Sequence, residues 1–307
     1  MTKGNTWLNV FLTALAPTMW GSTYIVTTEL LPDNMPLLAS TIRALPAGLL
    51  LLLICRTMPS GKWWGRIAIL GALNIGAFFY CLFMTAYYLP GGVASLVMSV
   101  QPMIVIALSA LVLNTRFLKV HIYASLLGIA GIALLVLNST INLNWQGVVS
   151  GLIGTTCMAT GIVFTKHWGR PEGLSLLGFT GWQLTFGGLM LLPIALFQEG
   201  IPATLTTTNI AGYAYLSLVG ALLGYMLWFR GIEKLPAVTI SFLGFLSSLA
   251  ALILGYVFLD QTFTTLQILG AIAIVACVYL STPKPQAEVK EDIVNADDTS
   301  KLEEQRA

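Results

Sequence analysis

Leu89-Pro90-Gly91-Gly92-Val93-Ala94-Ser95 opens one long apolar run, and Leu235-Pro236-Ala237-Val238-Thr239-Ile240-Ser241 opens another. Laid over each other at a constant offset of 146, segments 89–117 and 235–263 run without a gap. Leu89/Leu235, Pro90/Pro236, Ser95/Ser241, Leu108/Leu254, Leu113/Leu259 and Phe117/Phe263 coincide. In so apolar a background six identities carry little weight alone, and their order carries more. Both copies run from a Leu-Pro turn through an apolar span to a polar break, at Asn114 or Asp260. A repeated membrane unit is a frequent transporter architecture.

The composition agrees. Of 307 residues 56% are hydrophobic and 9% charged, and mean hydropathy is +0.82, whereas a soluble domain carries about 25% charged residues. The chain is read as an all-α integral membrane protein whose partners are the lipid bilayer and a small-molecule solute, with no nucleic acid, as a monomer or homodimer. The net charge of +2 hides an asymmetry: residues 283–307 hold seven acids and four bases, leaving eleven bases and six acids in the body. That tail has no apolar period and reads as a disordered extension. Cys55, Cys81, Cys157 and Cys277 lie in apolar runs without a C-x-x-C pair, and His121 and His167 stand apart from them. They read as small hydrophobes, so neither a disulfide framework, a metal site nor a cofactor is indicated. The first apolar stretch follows Lys3 in the manner of a signal peptide but is too long and contains Pro17 and Trp20, so it is read as a retained span.

About 20 apolar residues cross a bilayer as a helix. Windows of that size separate at Pro, Gly or charge into ten spans, roughly 8–28, 36–55, 66–87, 92–113, 119–138, 146–166, 174–197, 209–231, 237–259 and 264–282. With the N-terminus cytoplasmic, fourteen of the fifteen Lys and Arg fall inside, the fifteenth, Arg43, falls within a span, and the outer loops carry only Glu29, Asp33, Glu199 and Asp260. Basic residues mark the cytoplasmic side, so both termini are expected there, in the cytoplasmic membrane. Five spans per half, an odd number, make the second copy enter upside down. The expected units are an inverted pair of repeats, 1–138 and 139–282, followed by the tail. The same division sets Trp20-Gly21-Ser22 opposite Ala159-Thr160-Gly161 at an offset of 139, and Gly48 opposite Gly188 at 140, which places Gln183 opposite Arg43. The counterpart of Pro102 is Ser248, so one copy lacks a helix-kinking residue.

At these residues the sequence resembles the drug/metabolite transporter superfamily and, within it, the EamA family of ten-helix exporters. The features are the Trp20-Gly21-Ser22-Thr23-Tyr24 turn, Arg43 in span 2, the run from Gly220 to Pro236, and the Leu-Pro-led spans 4 and 9. The stretches beginning at Trp20 (WGSTYIVTTELLP) and Gly178 (GFTGWQLTFGGLMLLP) are similar to its PecM-like branch. The resemblance covers about residues 8–282 and implies two five-helix repeats, no catalysis, and export of a metabolite such as an amino acid or pigment. It departs from the family's pattern at Asn114, usually acidic, and at Ser248, usually Pro. The first puts a proton role at that position in doubt, and the second suggests unequal bending of the halves.

Arg43 is the one charge placed well inside the hydrocarbon, roughly 10 Å below the outer surface counted at 1.5 Å per residue from Pro36. A charge there costs about 3 kcal/mol and must find a cavity or a polar partner. It can bind a substrate carboxylate through its fork of donors; alternatively it ties span 2 to backbone carbonyls or to Glu29 or Asp33, or snorkels outward. An Arg here accompanies many substrates in the resembling family, which favours a structural or gating role. The remaining substrate-binding candidates are Trp20, Tyr24, Asn74, Tyr80, Gln101, Gln183, Tyr225 and Trp228, with Trp182 beside them. Buried amides in lipid need partners, so a wet cavity suits them, while interhelical bonding or interfacial anchoring is the plain alternative for each. Trp20 and Tyr225 lie nearest mid-span, and Trp63 and Trp64 are assigned to the cytoplasmic interface. Gly147-x-x-x-Gly151 and Gly220-x-x-x-Gly224 suit close helix packing, and Gly21, Pro102 and Gly161 are candidate hinges. No span carries an acid near its centre, so proton coupling has no evident carrier. H-E-x-x-H, paired intramembrane carboxylates and G-x-S-x-G are absent, which weighs against a membrane-embedded enzyme. Uptake or exchange remains the alternative direction.

Overall fold

Inside a bilayer each backbone N–H and C=O must be satisfied within the protein, which leaves helices as the solution for long apolar runs of this kind. The computed structural model describes residues 3–32, 34–89, 91–116, 118–136, 144–202, 204–258 and 264–282, and all their regular structure is helical. Asp33, Pro90, Phe117, Leu259, Asp260, Phe263, the 138/139 boundary and the tail lie outside the described residues. The ten spans are present among those described. Span 1 is α1 (Lys3–Gly21) and α2 (Thr23–Leu30), and span 2 is α3 (Pro36–Cys55). Span 3 is α4 (Trp63–Gly71), a π-helical turn (Ala72–Gly76) and α5 (Ala77–Tyr88). Span 4 is α6 (Gly91–Met98) and α7 (Gln101–Val112), and span 5 is α8 (Lys119–Val136). In the second half come α9 (Trp145–Trp168), α10 (Leu176–Gln198), span 8 as α11 (Thr207–Tyr215), a π-helical stretch (Leu216–Leu223) and α12 (Gly224–Lys234), span 9 as α13 (Ala237–Leu243) and α14 (Leu246–Phe258), and α15 (Thr265–Ser281). Seven of these units are by themselves long and apolar enough to cross a membrane.

The inversion is visible in how equivalent helices meet. In spans 2 and 7 Gly48 lies against Thr185 and Gly188 against Leu45, while the Glu199 carboxylate at the end of α10 accepts from the Leu37 and Leu38 N–H groups at the start of α3, each at 2.8 Å. Rising numbers on one helix therefore meet falling numbers on the other. The contact is tight because it is built on glycine: a Cβ at Gly48 would stand 2.6 Å from both N and Oγ1 of Thr185. Spans 5 and 10 repeat the arrangement, with Gly131 on Gly270 and Gly128 on Cys277. The other principal contacts come in mirrored pairs: spans 3 with 6 and 8 with 1, 3 with 7 and 8 with 2, 4 with 6 and 9 with 1. Exchanging span n for span n+5 leaves that pattern unchanged, as a pseudo-twofold axis in the membrane plane requires.

Breaks and π-turns obey the same symmetry. The π-helical segments sit at matching places in spans 3 and 8. Span 4 breaks at Ser99-Val100 and span 9 at Gly244-Phe245, which are counterparts at offset 146 or within one residue of it. The break thus does not depend on Pro102, contrary to the expectation that losing proline at Ser248 would set the two helices apart. Hydroxyls serve instead: Ser99 Oγ donates to Leu96 O at 2.6 Å and Ser247 Oγ to Gly244 O at 2.9 Å, drawing off carbonyls the helix would use. Symmetry fails at span 1, which breaks at Ser22, while its counterpart α9 runs unbroken for 24 residues. Ser22 Oγ bonds Met19 O at 2.6 Å and lies 2.8 Å from Tyr215 OH in span 8, so a second-half residue props the bend.

At one end of the bundle Lys166 Nζ donates to the carbonyls of Ile232 and Glu233, both at 2.9 Å, and Arg170 pairs with Glu233 at 2.7 Å. These are the ends of spans 6 and 8, where cations complement a helix C-terminus. Glu199 at the start of α3 is the opposite case at the opposite end, an anion on a helix N-terminus.

Candidate functional site

Two buried polar clusters mark where the halves cross. The first gathers on the Gly220 carbonyl in the π-helical stretch of span 8. Trp20 Nε1 donates to it at 2.8 Å and Arg43 Nη2 at 3.4 Å. A π-helical stretch loosens the regular ladder and is common at functional positions. A Cβ at Gly220 would meet the arginine only at ordinary contact distance, 3.5 Å from Nε and 3.6 Å from Nη2. Gly224, one turn on, is the position where glycine is needed, for a Cβ there would stand 2.8 Å from the Trp20 Nε1. The Gly220/Gly224 pair therefore seats two side chains of the first half, where the sequence suggested helix-on-helix packing. Gly147 and Gly151 meet side chains of Tyr88, Leu89, Thr85 and Val97, as packing glycines do.

Aromatic rings surround this carbonyl. Trp20 lies 5.0 Å from Tyr225 and 5.0 Å from Trp228, both on α12. Tyr225 continues to Phe79 at 6.1 Å, and the Arg43 guanidinium carbon stands 5.1 Å over the Phe79 ring. Arg43 is 6% exposed, so it does not snorkel; it reaches inward to a backbone carbonyl and an aromatic face. Trp228 is 2% exposed, and its Nε1–H has no acceptor among the described residues. Trp20 keeps partial exposure. The cluster draws on spans 1, 2, 3 and 8, hence on both halves, and presents rings, a guanidinium and an indole donor.

The second cluster is its counterpart. Gln183 matches Arg43, and Asn74, in the π-turn of span 3, matches Gly220 at offset 146. Asn74 Nδ2 donates to Gln183 Oε1 at 2.9 Å and to Thr165 Oγ1 at 3.3 Å. Asn74 and Gln183 are wholly buried and Thr165 nearly so. Arg43 stands seven residues into α3 and Gln183 seven into α10, helices that begin at opposite faces; each lies about 10 Å deep from its own side. Gly161 of α9 is the notch that receives this network, for a Cβ there would stand 2.0 Å from Asn74 Oδ1. It lies in an unbroken helix, whereas Gly21 lies at the break of span 1, with backbone of Ser247 and Ala251 against it.

Gln101 opens α7 directly after the span 4 break, with Oε1 3.7 Å from the Cβ position of Gly244 at the span 9 break, so the two breaks face each other. Pro102 follows at the second position of α7, buried. Tyr80 packs partly buried against the core. The side chain of Tyr24 lies outside the described residues. Trp182 is separate from both clusters: its Nε1 donates to Thr57 O at 3.0 Å and its ring packs on Trp64. Sequence reading missed Phe79, Thr165 and the Gly220 carbonyl. The 146 offset, applied to Asn74, points to Gly220; nothing in the sequence separates Phe79 from Phe78.

Residues 7–137 and 145–282 each match the EamA-like transporter family. The chain is 49% identical over 265 residues to Protein PecM of Dickeya dadantii (strain 3937), covering 86% of this chain and 89% of that protein. It is 27% identical over 292 residues to the "Probable amino-acid metabolite efflux pump" of Salmonella typhimurium, covering 88% and 93%, and 26% identical over 273 residues to the uncharacterized inner membrane transporter YedA of Escherichia coli (strain K12), covering 86% and 87%. A solved crystal structure superposes with a TM-score of 0.76 at 14% identity, covering 92% of this chain and 97% of that one, a likeness of fold alone.

Proposed function

Since the chain belongs to the EamA-like transporter family of the drug/metabolite transporter superfamily, we propose that it exports a small metabolite across the cytoplasmic membrane by alternating access between two inverted repeats, residues 1–138 and 139–282. The observation that carries this reading is the pair of equivalent clusters at opposite depths, Arg43–Gly220–Trp20 and Gln183–Asn74–Thr165. In an inverted repeat such a pair supplies two barriers, one toward each face, that open in turn. Trp20, Tyr225 and Trp228 form the wall that meets the solute, and Arg43, Asn74 and Gln183 hold the barriers. Rings with one guanidinium and one unanswered indole donor suit a partly apolar solute bearing an acceptor group, such as an amino acid or a related compound. Outward direction is supported by the efflux role in the name of the Salmonella relative. The clusters lie within one chain, so in this reading each chain carries its own site, as a monomer or as a homodimer.

Both termini face the cytoplasm in this reading, supported by the basic residues at the inner ends of spans. In a background freed of Cys55, Cys81, Cys157 and Cys277, a cysteine at Asn34 labels with an impermeant thiol reagent in intact cells and one at Ser60 does not; the reverse result inverts the topology. The test of transport is counterflow by purified protein in liposomes, solute emerging chemically unchanged. Exchange persists without a pH gradient, since no span carries a central acid. Absence of counterflow for every amino acid and aromatic metabolite tried would sink the export reading.

A further inference from the structure

At the end of the bundle where spans 3 and 6 meet, Arg66 is held in a way the fold itself does not require. Its guanidinium carbon lies 5.0 Å over the Trp63 ring and 5.4 Å over the Trp168 ring. The rings come from different spans, so the cation is fixed in place rather than swinging as a surface arginine would. Ring contacts engage the face of a guanidinium and leave its in-plane N–H edge for hydrogen bonds. Among the described residues that edge meets no acceptor, and the Glu233 carboxylate is taken by Arg170. Exposed Lys62 stands one turn earlier, its carbonyl accepting from the Arg66 N–H, and a Cβ on exposed Gly65 would meet nothing within 4 Å, so the approach is open.

The counterpart of Arg66 at offset 146 is Gly212, packed on Leu30 and Leu31. The equivalent corner at the other face thus closes without a cation or an indole. We infer that Trp63, Arg66 and Trp168, with Lys62, form a binding site for the phosphate of an anionic phospholipid headgroup. Three pieces of chemistry converge on that ligand. A clamped guanidinium edge matches phosphate oxygens, tryptophans gather at headgroup depth, and basic pockets between spans near the membrane surface take anionic headgroups. Trp168 stands one turn beyond Thr165 of the Asn74 cluster on α9, but the site shares no residue with either cluster and stands whether or not the export reading does.

The experiment uses delipidated full-length protein titrated with phosphatidylglycerol, with phosphatidylcholine and with inorganic phosphate, read by native mass spectrometry. Wild type binds one phosphatidylglycerol more tightly than phosphatidylcholine, and R66Q weakens that binding about five- to tenfold. R66K keeps part of the preference, because charge survives while the planar fork is lost. G65D sets a carboxylate beside the guanidinium at a position with room for it, and weakens binding similarly even if R66Q folds poorly. Unchanged phosphatidylglycerol affinity in G65D and in folded R66Q would overturn the site. Competition by millimolar inorganic phosphate would overturn the lipid as its occupant in favour of a free anion.

Discussion

The Arg43 crossing and the Gln183 crossing occupy equivalent places in one framework and hold opposite chemistry. At the first, a guanidinium and an indole converge on the Gly220 carbonyl among rings, with Trp20 still partly exposed. At the second, two amides and a hydroxyl close on each other in complete burial. Because the same helix contacts surround both, the difference is not demanded by the fold. It teaches that the two barriers of the proposed cycle are unequal. The amide barrier is short-range, neutral and dependent on exact fit, and the arginine barrier is charged and tolerant of approach by another acceptor.

Breaking the fit of the amide crossing gives the largest expected effect. Gly161→Val drives a side chain into Asn74 Oδ1 and separates the Asn74–Gln183 pair. Overpacking and a stranded buried amide together cost about 3 kcal/mol, read as a large fall in the detergent unfolding temperature; an unshifted transition would refute the notch. Next comes the arginine crossing. Arg43→Lys keeps charge and loses the fork, and lowers liposome flux about tenfold, or ~1.4 kcal/mol in barrier. A similar factor for neutral and anionic solutes marks a barrier residue, whereas loss confined to anionic solutes marks a carboxylate ligand.

Smaller changes sharpen the comparison. Trp20→Phe keeps a ring on Tyr225 and Trp228 and deletes the bond to Gly220, about 1 kcal/mol. It raises the half-saturation concentration several-fold, while Trp182→Phe, away from both crossings, leaves it unchanged; equal effects would dissolve the distinction. Smallest is Glu199→Ala, which removes the carboxylate from the Leu37 and Leu38 N–H groups. Loss of such a cap costs about 1 kcal/mol, a shift of a few degrees in unfolding with solute preference intact.

The sequence by itself determined the class, the ten spans and the inverted repeat, because bilayer thickness sets span length and the side of each basic residue sets direction. Constant offsets even paired Arg43 with Gln183 before any contact was known. Which face of each helix turns inward was not legible. In a soluble helix a polar stripe marks the exposed side, but here both sides are apolar, one meeting lipid and the other protein. Trp228 therefore looked the same as an interfacial tryptophan, Phe79 the same as Phe78, and the Asn74 amide could have faced a wet cavity as well as Gln183. The break in span 9 was hidden for a related reason: Ser247 and Gly244 do there what proline was expected to do. Tertiary structure decided these points, because only the packing of one half against the other gives a buried donor its acceptor.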